Sequence, residues 1–236
     1  MKAVLFDIDN TLLIRRPTIP EKWHEALVSA GYSVTADDAQ RAFAECEMWA
    51  GRQTRIENET GVRMSDEEFK NGLMNCCISA FGIDEAATDM LALIWMGRYE
   101  KHYEVAEGAF ECIEHLHGRG IKTGIVSNNY SSIRDVLDEK GLACHFSTII
   151  ISDEVGLYKP DPRILLHACK QLGVQPDEAM YVGDHPYDVV CANEAGLLSA
   201  WIPASSYMKL PEFTKEPMYR ISSLNQFIGL INENRR

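Results

Sequence analysis

Five short apolar or β-branched runs restrict this chain to one broad architecture: Ala3–Phe6, 122–126, Thr148–Ile151, 179–182 and Leu198–Trp201. Runs this short make poor helices, and their unbroken apolar character suits strands buried on both faces of a parallel sheet. The segments between them carry helical spacing, as in Phe110, Ile113 and His117, in Ile133, Val136 and Leu137, and in Ile164, Leu165, Ala168 and Leu172. Pro162 and Pro186 fall where a first helical residue is expected, each behind a polar residue suited to capping. An α/β fold follows, closed by a surface coil over 203–217, a short strand near 219–221 and a helix over 224–231.

One stretch breaks the alternation: residues 15–103 hold no convincing strand. Trp23, Ala26, Leu27 and Ala30 form one amphipathic stripe, and Ala39, Phe43, Cys46 and Ala50 a second. Phe69, Leu73, Cys76 and Ala80 form a third, and Leu91, Ile94 and Trp95 suggest a fourth. Thr35 with Asp38, and Ser65 with Glu68, are capping-box starts for two of these helices. The expected organisation is an all-helical domain, 15–103, inserted into a core made of 1–14 and 104–236.

At 236 residues, with 46% hydrophobic and 25% charged side chains, the chain can bury a sizeable core. Its formal net charge of −12 argues against a nucleic-acid polymer or an anionic membrane as partner, since both are held by clustered Lys and Arg. The most apolar stretch, 91–97, falls far short of the ~20 residues that cross a bilayer. Seven cysteines without a CxxC pair, behind an opening MKAVLFDIDN too polar for a leader, read as reduced thiols in a cytoplasmic protein.

Ligands of an open parallel sheet bind beyond the carboxyl ends of its strands, and four strand ends here carry reactive side chains. The first run leads into Asp7-Ile8-Asp9-Asn10-Thr11 and the second into Ser127-Asn128. Lys159 follows the third in Tyr158-Lys159-Pro160-Asp161-Pro162, and the fourth ends in Gly183-Asp184, with Asp188 four residues on. Singly, each is ordinary: an Asp-x-Asp is often a turn or cap, a Lys beside prolines a solvated loop residue, Gly-Asp a structural turn. Their placement together on one rim changes that reading. Asp7, Asp184 and Asp188 repel one another unless a cation lies among them, and hard oxygen ligands with open positions suit Mg²⁺. A phosphoryl group entering there would meet Lys159, the Ser127 hydroxyl and the backbone N–H groups leading into the helix after Ser131. Phosphoryl transfer needs this kind of positioning and charge neutralisation. In that setting Asp7 suits the role of nucleophile, and Asp9, two residues on, that of general acid and then general base.

With these residues in order, the chain resembles the haloacid dehalogenase superfamily, whose signatures are DxDx[TV], a Ser or Thr after the second strand, a Lys, and a final GDxxxD. They stand here as Asp7-Ile8-Asp9-Asn10-Thr11, Ser127, Lys159 and Gly183-Asp184-His185-Pro186-Tyr187-Asp188. The likeness spans nearly the whole chain, including a helical cap after the first strand. The resemblance implies a Rossmann-like core and Mg²⁺ held through Asp7, the Asp9 backbone carbonyl and Asp184, with Asp188 in support. It also implies a phosphate cradle of Thr11, Ser127, Asn128 and Lys159, and a phosphatase acting on a small, soluble phosphorylated metabolite.

Other readings compete. Asp9 disfavours a dehalogenase, because carbon–halogen cleavage needs no acid for its leaving group. A phosphonate hydrolase of the superfamily relies on a cap lysine and lacks the second Asp, whereas a phosphosugar mutase keeps both. A non-catalytic phospho-acceptor module also uses Asp, Mg²⁺, Ser or Thr, and Lys, but is about half this length and has no cap. His115 and His117 face different ways on one helix, His185 reads as a loop histidine, and Cys76 and Cys77 as core or near-core thiols. In the cap, Arg15, Arg16, Trp49, Arg52, Arg55 and Trp95 are candidates to read a leaving group, against the commoner roles of surface Arg and core Trp.

Overall fold

The computed structural model describes residues 1–233; the last three residues of the expected core lie outside the described residues. The chain opens with strands β1 (Ala3–Phe6) and β2 (Leu13–Arg16), then helices α1 (Ile19–Ser29), α2 (Ala36–Thr60), α3 (Asp66–Phe81) and α4 (Thr88–Trp95). It continues through β3 (His102–Val105), α5 (Ala109–His117), β4 (Lys122–Ser127), α6 (Ile133–Glu139), β5 (Thr148–Ile151) and the single turn α7 (Ser152–Val155). Last come α8 (Arg163–Leu172), β6 (Ala179–Gly183), α9 (Pro186–Ala195), β7 (Leu198–Trp201), β8 (Tyr219–Arg220) and α10 (Leu224–Glu233).

Six strands form one parallel sheet in the order β5-β4-β1-β6-β7-β8. Its register sets Phe6 beside Ile125 on one side and Val182 on the other. Asp7, Ser127 and Gly183-Asp184 therefore leave the sheet at the same carboxyl edge. Side chains alternate along β1, as the two-residue period of a strand requires. Val4 and Phe6 enter a core with Ile113 and Leu116 of α5, Leu137 of α6 and Phe227 of α10. Ala3 and Leu5 enter another with Ile164, Leu165 and Ala168 of α8 and Ala192 of α9. All of β1 is buried, so the run carries no polar alternation, and each large side chain contributes about 1.5–3 kcal/mol by leaving water.

The chain divides into two compact units, one of residues 1–14, 103–204 and 209 onward, the other of 15–102 with 205–208. In the second, the buried Trp23 indole donates to the Leu91 carbonyl at 3.1 Å. Its ring stacks on Trp95 at 5.8 Å and meets Phe81 edge-on. Trp95 also packs on Phe43, and Trp49 on Phe69, so both tryptophans serve that unit's packing. Thr35–Asp38 and Ser65–Glu68 close as reciprocal capping boxes, and a third, Thr18–Glu21, opens α1.

Three details differ from the expectations. The stretch 15–103 is not free of strand, because the paired β2 and β3 reach into its two ends. With four residues each and mostly half-exposed or exposed side chains, they offer no apolar run to detect. The coil over 203–217 is not all surface: Ser205 and Met208 are buried, and Ser205 Oγ donates to the Gln40 carbonyl at 3.3 Å. Pro162 stands just ahead of α8 with helical dihedrals, and Asp161 Oδ1 accepts from the Arg163 N–H at 2.9 Å. Among the described residues, no helix is long and apolar enough to cross a membrane.

Candidate active site

β1 delivers Asp7 to the carboxyl edge of the sheet, where it is buried. The chain then turns sharply, with the N–H groups of Leu12 and Leu13 both donating to the Ile8 carbonyl at 2.9 Å. Asn10 takes φ +55° in this turn, a left-handed conformation that Asn tolerates better than most residues. Its side-chain amide points back into the site and donates to Asp184 Oδ2 at 3.1 Å.

β6 supplies Asp184, and the residue before it has to be glycine: a Cβ on Gly183 would collide with the Asp188 carboxylate. Asp188 sits in the first turn of α9, where its Oδ2 accepts from the His185 N–H at 3.0 Å. His185 Nδ1 in turn accepts from the Tyr187 N–H at 3.1 Å, so this histidine is the N-cap of α9. The indole N–H of the buried Trp201 donates to the Asp184 backbone carbonyl at 2.7 Å.

Lys159 is enclosed and its three donors find three acceptors: Asp7 Oδ1 at 2.9 Å, Asp188 Oδ1 at 2.7 Å and the Tyr181 hydroxyl at 2.7 Å. Tyr181 donates its own proton to the Val126 carbonyl at 2.6 Å. Asn128 holds the lysine's backbone, donating to the Lys159 carbonyl at 2.9 Å and accepting from its N–H at 2.7 Å. The Asn128 side chain is thus engaged with the Lys159 loop. Asp9 is half-buried, and its Oδ2 accepts from Asn129 Nδ2 at 2.7 Å. Ser127 is buried at the end of β4. The Thr11 hydroxyl is buried without a protein partner, an arrangement that costs stability until something polar meets it.

Asp7, Asp184 and Asp188 each place an oxygen within 4.8 Å of the others, and all three are buried. Three carboxylates against the single Lys159 ammonium leave two negative charges. Burial pushes the Asp188 carboxyl up to about 6, with the Lys159 ammonium opposing and the Asp7 carboxylate reinforcing. Burial also works against the Lys159 charge, yet Asp188 and Asp7 outweigh it and hold the ammonium above its ordinary range. The Tyr181 hydroxyl is driven well up, by burial first and then by Asp7 and Asp188, and stays neutral. A buried set of oxygen donors with too little positive charge fits a hard divalent cation.

Asp7, Asp184, Asp188 and Lys159 are brought together as their motifs suggest, with Asp9 alongside through Asn129. Asn10, Asn129, Tyr181 and Trp201 escape sequence reasoning. Tyr181 reads as one more core aromatic; its signal was a hydroxyl in a strand buried on both faces, which must find a partner. Asn129 reads as loop, and only the fold shows what its amide reaches.

A family model described as haloacid dehalogenase-like hydrolase matches residues 1–196. The chain is 27% identical to phosphoglycolate phosphatase 1 of Pseudomonas aeruginosa, over 84% of this chain and 68% of that protein. It is 27% identical to the phosphoserine phosphatase of Thermus thermophilus, over 96% and 97%. To the glyceraldehyde 3-phosphate phosphatase of Methanopyrus kandleri it is 26% identical, over 99% and 98%. Among solved structures, a HAD phosphatase from Thermococcus onnurineus shares 26% identity and a TM-score of 0.58 over 98% of each chain. The L-2-haloacid dehalogenase of Xanthobacter autotrophicus, at 19% identity and TM-score 0.63 over 98% of each chain, is a likeness of fold alone.

Proposed function

The chain belongs to the haloacid dehalogenase-like hydrolases, and from that premise we propose that it hydrolyses small, soluble phosphate monoesters with Mg²⁺ through an aspartyl-phosphate on Asp7. It is a phosphoric monoester hydrolase, in keeping with relatives named for phosphoglycolate, phosphoserine and glyceraldehyde 3-phosphate. The observation that carries the reading is Lys159 bridging Asp7 and Asp188 within a three-carboxylate cluster. Asp7, Asp184 and the Asp9 backbone carbonyl, with Asp188 behind them, would hold the metal. Bound there, Mg²⁺ supplies positive charge to the carboxylates and to the phosphoryl oxygens.

The chain's own residues account for the rest. Asp7 attacks phosphorus; its carboxylate oxygen bonds to phosphorus as the bond to the leaving alcohol breaks. Asp9, held by Asn129 at 2.7 Å, gives its proton to that alcohol oxygen. Asp9 then takes a proton from water, the water oxygen bonds to phosphorus, and the Asp7–phosphorus bond breaks. Ser127, Thr11 and Lys159 steady the phosphoryl oxygens, while Asn128 and Tyr181 keep Lys159 in place. A dehalogenase reading is disfavoured by Asp9, which that reaction would leave without work.

The test is a panel of short phosphate esters, including the three named for the relatives, assayed with Mg²⁺ and with excess chelator. At least one ester should turn over with Mg²⁺, and chelator should cut the rate by about 10²-fold or more, because the carboxylates alone repel a phosphate dianion. Undiminished hydrolysis in excess chelator contradicts the reading. Asp184→Asn should raise the Mg²⁺ concentration needed for half-maximal rate while the protein remains folded.

Tyr181→Phe gives a finer test. It removes one of three partners from Lys159 and leaves the Val126 carbonyl without its donor. A bond to a charged group is worth about 1.5–3 kcal/mol, and part is regained by the two remaining carboxylates. Steady-state kinetics should show kcat/KM lower by about tenfold. Unchanged kcat/KM would mean that Lys159 needs no support from the tyrosine.

A further inference from the structure

Three neighbouring strands of the core sheet, β1, β4 and β5, lead into residues bonded in a row across the carboxyl edge. Asp9 lies beyond β1, Asn129 beyond β4, and Ser152 directly after β5, as the first residue of α7. Asn129 Nδ2 donates to Asp9 Oδ2 at 2.7 Å. Ser152 Oγ accepts from the Asn129 N–H at 3.1 Å and donates to the Asn129 carbonyl at 3.3 Å. The Asp153 N–H reaches the same carbonyl at 3.4 Å. We propose that Asn129 is a positioning residue for the Asp9 carboxyl and that Ser152 is its anchor, so that protonation of the leaving alcohol depends on this three-strand clamp. The proposal rests on the reading of Asp9 as the general acid.

The Asn129 amide has one orientation open to it. Its Oδ1 accepts from the Tyr130 N–H at 3.0 Å, and a backbone N–H can only donate, so the NH₂ end is the one that faces Asp9. That end donates too, and it does not compete with the alcohol for the Asp9 proton. Ser152 is buried, which shields its two bonds to Asn129 from water. The single turn α7 also grips the start of α6. Arg134 Nε donates to Glu154 Oε1 at 2.6 Å, and its Nη2 donates to Glu154 Oε2 at 2.7 Å and to the Ile149 carbonyl at 2.8 Å.

Asp9 needs such a hold. It stands past the end of β1 and is half-buried, so its carboxyl turns about two side-chain torsions unless something fixes it. Proton transfer needs the donor within about 2.6–3.2 Å of the leaving oxygen, and a misplacement of ~1 Å can cost ~10²-fold. Loss of the clamp should therefore be felt only where the leaving group needs its proton.

The test compares kcat/KM, which covers the steps through loss of the alcohol, for an alkyl phosphate and for an aryl phosphate with an acidic phenol. Asn129→Ala should lower the alkyl value by about 10–100-fold and the aryl value by less than about threefold. Ser152→Ala should act in the same direction with a smaller loss, because the Asp153 N–H still holds the Asn129 carbonyl. In an Asp9→Asn background, Asn129→Ala should add nothing with either ester, since no acid remains to be placed. Asn129→Leu repeats the measurement with the volume of the amide kept, should the alanine loosen the loop. Asp9→Asn with equal losses for both esters would sink the acid reading and the clamp with it. If Asp9→Asn separates the two esters, the acid reading stands. In that case equal or absent losses in Asn129→Ala, a further alkyl loss in the double variant, or full alkyl activity in Ser152→Ala would overturn the clamp alone.

Discussion

Asp7→Asn should remove turnover, by about 10⁴-fold or more, in a protein that remains folded. An amide cannot form the acyl-phosphate, yet it keeps the shape of the carboxylate and an oxygen for Lys159, which now donates to Asp7 Oδ1 at 2.9 Å. The exchange also takes one charge from three buried carboxylates that share a single ammonium. Without metal, the variant should therefore melt at the same temperature as the parent or higher. Phosphatase assays and thermal melts read the two effects separately. Activity within about tenfold of the parent would move the nucleophile elsewhere, and a collapse of the melting temperature would make Asp7 a structural residue.

Asp9→Asn should cost about 10²–10⁴-fold in turnover, the usual worth of general acid–base help, and the loss should depend on the leaving group. An aryl phosphate with an acidic phenol needs little protonation, so its first step should run nearly as fast as in the parent. An alkyl phosphate should be slow from the start. With the aryl ester the variant should then stall as a phosphoenzyme, because no base remains to activate water. Mg²⁺ affinity should hardly move, since the proposed metal contact of Asp9 is its backbone carbonyl. Rapid quench with labelled ester compares burst and steady state. Equal losses for both esters with no accumulated intermediate would assign the acid–base role to another residue. Asn129 provides a companion check, because its amide fixes Asp9 Oδ2 at 2.7 Å.

The core sheet was legible because its strands are buried on both faces. Ala3–Phe6, Thr148–Ile151 and Leu198–Trp201 stand in the fold with the bounds their apolar runs suggest. The helices of the second unit were legible for another reason, their one-sided stripes and capping boxes being local. β2 and β3 were not, since each is four residues with little buried surface, and their pairing joins segments far apart in sequence. The site divides along the same line. Asp7, Asp184 and Asp188 announce themselves as carboxylates at strand ends, whereas the supports for Lys159 depend on register. Tyr181 reaches Lys159 only because β6 lies beside β1 and its hydroxyl crosses toward Val126. Asn128 lies at the expected strand end, but the bonds of its side-chain amide to the Lys159 backbone depend on how the loop folds back and could not be read from the sequence.

One turnover in ¹⁸O-labelled water does not test the covalent step at Asp7, because direct attack by water would label the released phosphate in the same way. If Asp7 attacks phosphorus, the first phosphate released takes its new oxygen from water, because water attacks the phosphorus of the aspartyl-phosphate. The Asp7 carboxylate oxygen stays with the protein. The decisive measurement is therefore the phosphoenzyme itself: acid-quenched Asp9→Asn protein, reacted with ³²P-labelled aryl phosphate, digested and mapped. The result expected is a hydroxylamine-labile phosphate on the peptide that contains Asp7, formed within the first turnover and absent from Asp7→Asn. No acid-stable phosphopeptide from Asp9→Asn protein that has released the phenol, or label on any residue other than Asp7, would contradict the mechanism.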